Sequence, residues 1–468
     1  MLSRTYLFSL MTPLSYLKVG IFIPPCLGYL LFVPTLAWSQ VDTNASETDT
    51  SAVVDVAMQA PPPVSGSAYD TAFTSETGSN YLRGGVTITG AYSNNLTGIG
   101  TSNPIGGSSF SIWTNLELDK STSRGHYLFS YSPGYTFYPS ASTLNQPNQN
   151  AMVDLRYRLS PNATLSLNGS FQQTSNMFTQ PNPLSVTAVS GSAPAPSQAI
   201  VPPVAEQLAS SANAELTYQL DANSMIGVSG SFGNLRFPNP AHAAGLYDSS
   251  WAGGSFFYSR RLYDSLQFGA SYLYQNFESS PAATQNSTNT QTQTQTAFLF
   301  LSINLKPTLS LSFSAGPQYV ISSQGSLPAV VSWSPLTMVS VGWRGGRTSL
   351  AASYARIITA AGGLNGAFHS NSANASARWQ IARTWSGGVS GSYVRNQSLT
   401  PLFVLTSTGG HTLTGTVSVD HAMGEHLRAG AGYSWVQQNY SGGTAISNFP
   451  NTNRAFISIS YSFSRPLQ

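Results

Sequence analysis

The charged side chains of one short segment have the clearest potential for chemistry in this chain. Between residues 153 and 159 apolar and charged residues alternate, so Asp154, Arg156 and Arg158 share one face of an extended strand. Guanidinium groups bind anionic or hydroxylated solutes, and a nearby carboxylate sets an opposing field. The segment therefore predicts a charged strip that either selects solutes or braces a wall through ion pairs.

Enzyme chemistry is not indicated by the rest of the chain. A nucleophile, a base and an orienting acid cannot be grouped by spacing. The pairs Asp420-His421 and Glu425-His426 meet at one turn, where a solvated turn explains them better than a metal site. We expect no catalytic residue, no cofactor, no metal and no nucleic-acid partner. The six histidines are scattered, at 126, 242, 369, 411, 421 and 426.

The composition excludes an ordinary soluble protein. Charged residues make up 8% of the 468 residues, against roughly 25% in a typical soluble domain. Mean hydropathy is −0.06, too low for a bundle of membrane helices. A chain that averages a lipid-facing side with a water-facing side is expected to have such a value.

From about Tyr81 onward, short segments with period-two alternation recur in pairs. The last of them places Ile457, Ile459, Tyr461 and Phe463 on one face and serines on the other. Strands of a transmembrane β-barrel alternate in this way, with an apolar face toward lipid and a small polar face toward water.

Eighteen such segments are predicted, and sixteen is the alternative, because 249–261 is weakly patterned and Pro335 interrupts 331–344. Short connections with turn residues alternate with long ones rich in Pro, Asn, Ser, Thr and Gly. The prediction is an all-β fold: a single closed antiparallel transmembrane barrel with long extracellular loops and short periplasmic turns. The predicted strands lie near 82–92, 108–119, 125–137, 150–159, 162–174, 209–220, 223–233, 249–261, 263–277, 292–305, 307–320, 331–344, 346–358, 370–382, 384–396, 410–421, 425–437 and 453–464.

On this pattern, residues 81–464 resemble the outer-membrane β-barrel superfamily of diderm bacteria. The final strand looks like the signal read by the barrel-assembly machinery, with Ile457, Ile459, Tyr461 and Phe463 as its residues. In such proteins the aromatic usually ends the chain, whereas here Ser464 to Gln468 follow Phe463. The strand count is similar to that of sugar-selective porins and polysaccharide export barrels, and no motif selects between them.

Charges in a barrel wall should avoid lipid, because an arginine at the bilayer midplane costs roughly 2–4 kcal/mol. We therefore expect the wall charges to line the lumen, where they would form a selectivity zone, an ion-pair network or both. Asp119, Arg356, Arg395, Asp420 and Arg454 are expected there near strand ends. The remaining candidate lumen-lining charges are Glu117, Asp154, Arg156, Arg158, Glu215, Arg378 and Arg428. Elsewhere we expect Ser, Thr, Gly, Asn and Gln to line the lumen.

The region before the barrel is predicted to have two parts. Residues 1–39 read as a signal peptide, with a basic region, an apolar run and small residues before Gln40. Residues 40–80 hold six acids and no base, which predicts a disordered acidic periplasmic segment able to enter an arginine-rich lumen. Residues 81–468 form the predicted barrel.

The sequence favours an outer-membrane barrel that passes small hydrophilic solutes by diffusion with a mild anion preference. One alternative is a non-conducting structural barrel that displays long loops to surface partners. Another is an exporter of an anionic polysaccharide. Expected partners are outer-membrane lipid, the barrel-assembly machinery and small hydrophilic solutes, and a homo-oligomer is left open.

Overall fold

The computed structural model describes residues 80–96, 106–174, 206–239, 246–282, 289–306, 308–325, 328–360, 363–399, 409–441 and 448–467. The predicted signal peptide and all of the predicted acidic segment except Asn80 lie outside the described residues. Apart from a short 3-10 helix at Ser142–Leu144, the regular structure is extended. Among the described residues, no helix has the length and apolar character needed to cross a membrane.

Eighteen strands follow one another along the chain. They are β1 (Tyr81–Ser93), β2 (Gly107–Ser121), β3 (Gly125–Phe137), β4 (Gln146–Ser160), β5 (Ala163–Thr174), β6 (Gln207–Gln219), β7 (Ser224–Arg236), β8 (Tyr247–Tyr263), β9 (Leu266–Pro281), β10 (Thr290–Lys306), β11 (Leu309–Gln324), β12 (Val330–Arg344), β13 (Thr348–Ala360), β14 (Ala367–Gln380), β15 (Trp385–Ser398), β16 (Gly409–Met423), β17 (Leu427–Ser441) and β18 (Asn448–Pro466).

Each strand pairs antiparallel with its neighbours in the chain, and β1 also pairs with β18. The register of this last pair runs from Tyr81 opposite Pro466 to Ser93 opposite Arg454. The sheet is therefore a closed barrel, which leaves no unpaired edge strand along its circumference. The predicted fold is confirmed at eighteen strands, and the sixteen-strand alternative is wrong.

The interruption at Pro335 has a simple structural reason. β12 pairs with β13 only from Thr337 to Arg344, so Pro335 lies where β12 has no partner on its β13 side. A proline is tolerated in a strand at such an edge, because its missing N–H leaves no ladder bond broken. The strand therefore continues through Pro335, although a proline is not expected in a strand that is paired on both sides.

The two ends of the barrel differ in their connections. Eight connections, such as 161–162 and 220–223, have at most four residues and lie at one end, which we call the short-turn end. The other nine connections lie at the opposite end, the loop end. Several loop-end connections are shorter than predicted, because strands such as β9 and β14 continue beyond the expected boundaries.

Alternate residues of each strand face opposite sides of the wall. One face carries large exposed apolar side chains, such as Ile88 at 55% and Ile459 at 52%. The other carries buried small polar residues, such as Ser229, Ser255 and Ser312. Side chains inside a closed barrel converge and shield one another, so we assign the apolar face as outer and the polar face as inner.

Candidate functional site: the inner face of the barrel

The inner face is polar over much of its area. Serine pairs bridge adjacent strands, with 2.7 Å between the Oγ atoms of Ser229 and Ser255. The Oγ atoms of Ser312 and Ser340 are 2.6 Å apart. Small hydroxyl side chains of this kind hydrogen-bond to one another and occupy little of the interior. This lining agrees with the composition expected for the lumen over much of the wall, although large apolar side chains also face inward in places.

Between β7 and β10 the inner face carries large apolar rings instead of small polar groups. Phe257 and Trp251 are buried there, and each lies over a glycine on β7, Gly227 and Gly233 respectively. Sequence alternation missed these rings, because Phe256 and Tyr258 on the outer face make the local segment apolar on both sides. The glycines opposite them could have indicated these inward rings, since a glycine provides the space that a large ring needs.

The predicted charged strip of β4 faces inward by register. Arg156 is opposite His126 of β3, and Asp154 is opposite Leu128 of β3 and Asn168 of β5. By register they lie on the same face as Glu215 of β6 and the buried Ser229 of β7. The three charges Asp154, Arg156 and Arg158 therefore point away from the apolar outer face.

Ionisable side chains of β1 to β4 form three close contacts. The Nη1 atom of Arg83 lies 2.9 Å from Oε1 of Glu117. The Nε2 atom of His126 lies 3.1 Å from Oδ1 of Asp119. The Nε atom of Arg156 lies 3.6 Å from Oδ1 of Asp154, and its side chain is about half exposed. These contacts brace the wall and leave part of each guanidinium facing the interior.

Glu215 extends this group to β6. Its register partners are Ser166 of β5 and Ser229 of β7, both small, and the residue is only 2% exposed. By register, Ser166 of β5 lies between Glu215 and Arg156 of β4. The sector from β1 to β6 therefore carries both arginines and acidic side chains on its inner face.

Arg378 and Arg428 also face inward but belong to another part of the wall. Arg378 is opposite Ser349 of β13, and Arg428 is opposite Ser460 of β18. Several strands separate them from β4, so the structure does not bring the seven candidate charges together at one point. They form an uneven band around the barrel.

Two arginines expected in the lumen lie on the outer face instead. Arg356 and Arg395 both pair with Asn371 of β14, on the face that also carries the exposed Tyr354 and Tyr393. The argument from lipid avoidance failed for them, because both are near the loop end, where strands extend past the apolar band. A charge on the outer face costs little once it is beyond the hydrocarbon.

The inward-facing charges are concentrated toward one end. Except for Arg454, each lies within six residues of the short-turn terminus of its strand. By register, the strand residues of the inner face include eight arginines and five carboxylates. These are Arg83, Arg156, Arg158, Arg261, Arg344, Arg378, Arg428 and Arg454, with Glu117, Asp119, Asp154, Glu215 and Asp420.

The turn with clustered acids and histidines shows no metal-binding geometry. Asp420 faces inward, whereas the next residue, His421, faces outward and stacks on Trp385 at 4.4 Å between ring centroids. Within the described ranges, no group of three His, Cys, Asp or Glu side chains is close enough to hold a metal ion.

The predicted assembly residues lie on the outer face of the closing strand. Ile457, Ile459, Tyr461 and Phe463 are all exposed, and their register partners on β1 include Ile88 and Gly84. The ring of Phe463 lies over Gly84. Their role as an assembly signal remains a prediction.

Comparisons with known proteins give matches to solved structures only: no family model and no curated protein matches the chain. The chain is similar to the ferric citrate transporter FecA in the unliganded form, at 11% identity and a TM-score of 0.43, covering 80% of this chain and 63% of FecA. It is also similar to the FrpB iron transporter from Neisseria meningitidis, at 9% identity and a TM-score of 0.40, covering 83% of this chain and 82% of that one.

A third similar structure is OccAB4 from Acinetobacter baumannii, at 11% identity and a TM-score of 0.38, covering 83% of this chain and 99% of that one. The chain thus spans less than two thirds of FecA. At this level of similarity, none of the three indicates what this chain does.

Proposed function

We propose that this chain is an outer-membrane barrel that passes small hydrophilic solutes by diffusion with a mild preference for anions. The observation that carries the proposal is the contrast between the two faces of one closed wall. Large apolar side chains cover the outer face, while hydroxyls, amides and arginines line the inner face. A lipid exterior and an aqueous interior stabilise this arrangement, and a soluble barrel would be expected to reverse it.

Tyrosines and tryptophans support the membrane-spanning interpretation. Exposed aromatic residues occur on the outer face near the short-turn end, as at Tyr157, Tyr218 and Trp385. Others lie toward the loop end, as at Tyr92 and Tyr135. Aromatic rings with a polar atom prefer the two membrane interfaces. The spacing of these residues along the strands fits two interfacial girdles with an apolar band between them.

Solute selection in this proposal is steric and electrostatic, with no chemical step. The excess of arginines over carboxylates on the inner face favours anions, and the ion pairs keep that preference mild. Diffusing solutes pass the charged band near the short-turn end. A charge on the wall lowers the electrostatic barrier for an oppositely charged solute without binding it tightly.

The proposal also includes an orientation and a set of partners. Both barrel termini, at Tyr81 and Pro466, lie at the short-turn end. With that end in the periplasm, the loop end faces outward. The expected partners are outer-membrane lipid, the assembly machinery and the diffusing solute, and a homo-oligomer remains open.

A second candidate function is a non-conducting barrel that displays its loops to surface partners. One observation favours it: the interior near the loop end contains buried apolar side chains, including Phe237 and Leu246. A permanently filled interior would pass no solute. The two candidates therefore differ in whether this filling is fixed or can move.

Single-molecule conductance tests the proposal. The full chain, purified from membranes, would be inserted into planar bilayers under a salt gradient. Current steps with an anion-biased reversal potential are expected. A folded, heat-modifiable barrel that inserts and never passes current, under any voltage or variant, would contradict it.

A further inference from the structure

The hairpin of β13 and β14 separates from β12 near the loop end, while β14 stays paired with β15 as far as Phe368 opposite Ser398. β12 begins at Val330 and β13 continues to Ala360, yet their pairing stops at Thr337 opposite Arg356. β13 and β14 stay paired with each other as far as Ala360 opposite Ala367. Beyond Arg356 the hairpin is therefore free of β12 on one side.

The tip of this hairpin crosses the interior to strands that are not its neighbours. The Oδ1 atom of Asn365 accepts hydrogen bonds from Ser279 Oγ at 3.2 Å and Thr290 Oγ1 at 2.8 Å. The backbone N–H of Gly366 donates to Ser279 Oγ at 2.9 Å. Ser279 and Thr290 are inner-face residues of β9 and β10, and β11 and β12 intervene in the sheet.

The tip also reaches the start of β8. The N–H of Tyr247 donates to the carbonyl of Gly363 at 3.1 Å. Gly363 and Gly366 have φ values of +90° and +87°, which a side chain would strain. At Gly363 a Cβ would also lie 3.4 Å from Leu246 and Phe237. The two glycines thus allow a tight turn packed against Leu246 and Phe237.

On the edge of β13 that no longer pairs with β12, one backbone N–H is hydrogen-bonded by a side chain of β11. The N–H of Ile358 donates to Oε1 of Gln318 on β11 at 3.2 Å. Ile358 also packs with Val320, Ala367 and Leu399 in a buried cluster. An unpaired buried N–H is costly, so this bond stabilises the inward position of the hairpin.

Apolar contacts also hold the tip of the hairpin in the interior. Leu364 packs against a cluster formed by Leu235, Phe237, Leu246 and Tyr440. Leu235 belongs to β7 and Tyr440 to β17, and these strands lie almost opposite each other in the closed sheet. Leu364 also contacts Phe368, which is completely buried. The cluster therefore spans the interior from one wall to the other.

From this geometry we infer that residues 363–368, which we call the tip segment, are the closure that controls passage through the barrel. The inference rests on the proposed function. Leu364 is the residue of the tip segment that seals the interior. Asn365 is the latch, the residue whose hydrogen bonds hold the tip segment in the closed position. An apolar constriction excludes water, and small polar solutes cross only when the tip segment swings away from β9 and β10.

The latch is weak enough to open. Most of its polar contacts are made by single hydroxyl or amide groups, which water can replace when the tip segment moves. The seal is apolar, and its residues come from separate parts of the barrel. The strands of each part therefore keep their hydrogen-bonded pairing when these residues separate. Opening therefore leaves the barrel intact.

The test measures access to the inner face directly. In the full chain with Cys26→Ser, Thr294→Cys places a thiol on the inner face of β10, where Thr294 is fully buried. Gln291→Cys on the exposed outer face of the same strand is the matched control. Both are labelled with a bulky, membrane-impermeant maleimide, with and without Leu364→Ser and Asn365→Ala, and conductance is recorded in parallel.

We expect Thr294→Cys to label at least ten times faster when the tip segment carries Leu364→Ser and Asn365→Ala. Gln291→Cys should label equally in all backgrounds, and the loosened variant should conduct more often. Equal, fast labelling of Thr294→Cys in every background would overturn the closure. Faster labelling without conductance in any variant would support the closure and contradict the proposed channel.

Discussion

Asn365 and Thr290 are joined by a hydrogen bond of 2.8 Å across the interior of the barrel, although β11 and β12 lie between their strands along the wall. This bond fastens the turn between β13 and β14 to β10, three strands away along the inner face. It links the two properties that decide function here, an aqueous polar wall and an apolar obstruction.

Replacing the two partners of this bond should weaken the closed state in a coupled way. Asn365→Ala removes the hydrogen bonds from both Thr290 and Ser279, whereas Thr290→Val removes only the first, so the double variant should open little more than Asn365→Ala alone. Labelling rates of Thr294→Cys measure the opening. Thr416→Val, which removes an inner-face hydroxyl pair with Ser434 far from the tip segment, is the control. Strictly additive effects would show that the two residues act separately.

Charge reversal on the inner face should change ion selectivity. Arg156→Glu with Arg158→Glu removes two positive charges from the charged band and adds two negative ones. The reversal potential under a salt gradient should therefore shift toward cation selectivity. Arg356→Glu with Arg395→Glu makes the same change in net charge on the outer face and should leave selectivity nearly unchanged. Equal shifts from both pairs would refute the assignment of the two faces.

Gly316 should not tolerate a side chain. A Cβ at this position would overlap backbone atoms of Ala297 and Phe298 on β10, which cannot move aside as a side-chain end can. We expect Gly316→Ala to lower the yield of folded, heat-modifiable barrel by several fold. Gly346→Ala is the control, because nothing lies within 4 Å of a Cβ there. Normal folding of Gly316→Ala would show that β10 and β11 are farther apart.

The aromatic residue of the last strand should matter for assembly. Phe463→Ala removes the ring that lies over Gly84 where β18 meets β1. Slower conversion to the heat-modifiable form in cells is expected, with little change in the conductance of the barrels that do form. Tyr433→Ala, another exposed outer-face aromatic on the neighbouring β17, is the control. Equal delays in both variants would mean that Phe463 has no special role.

Much of the fold follows from local sequence. Period-two alternation and turn residues place all eighteen strands, even β12 with Pro335 and the weakly patterned β8, because each strand carries its own two-sided pattern. The inward direction of Asp154, Arg156 and Arg158 follows in the same way. Loop-end boundaries were less accurate, since strands that extend beyond lipid lose the apolar residues that mark them.

The closure could not be read from the same pattern. The segment 359–369 was expected to be an ordinary long loop, and its Gly363-Leu364-Asn365-Gly366 turn was the only local sign of a tight reversal. Its position depends on contacts with Ser279, Thr290 and the cluster around Phe237, which are distant in sequence. Alternation assigns a residue to a face and carries no information about which distant strand a turn will touch.

The most direct measurement is the current through one molecule whose tip segment can be locked. Thr290→Cys and Asn365→Cys, in a chain with Cys26→Ser, replace the hydrogen bond by a reducible link. Under oxidising conditions the inserted barrel should pass almost no current, and anion-biased steps should appear after a reducing agent is added. Identical currents before and after reduction, in protein shown to be cross-linked, would contradict the account.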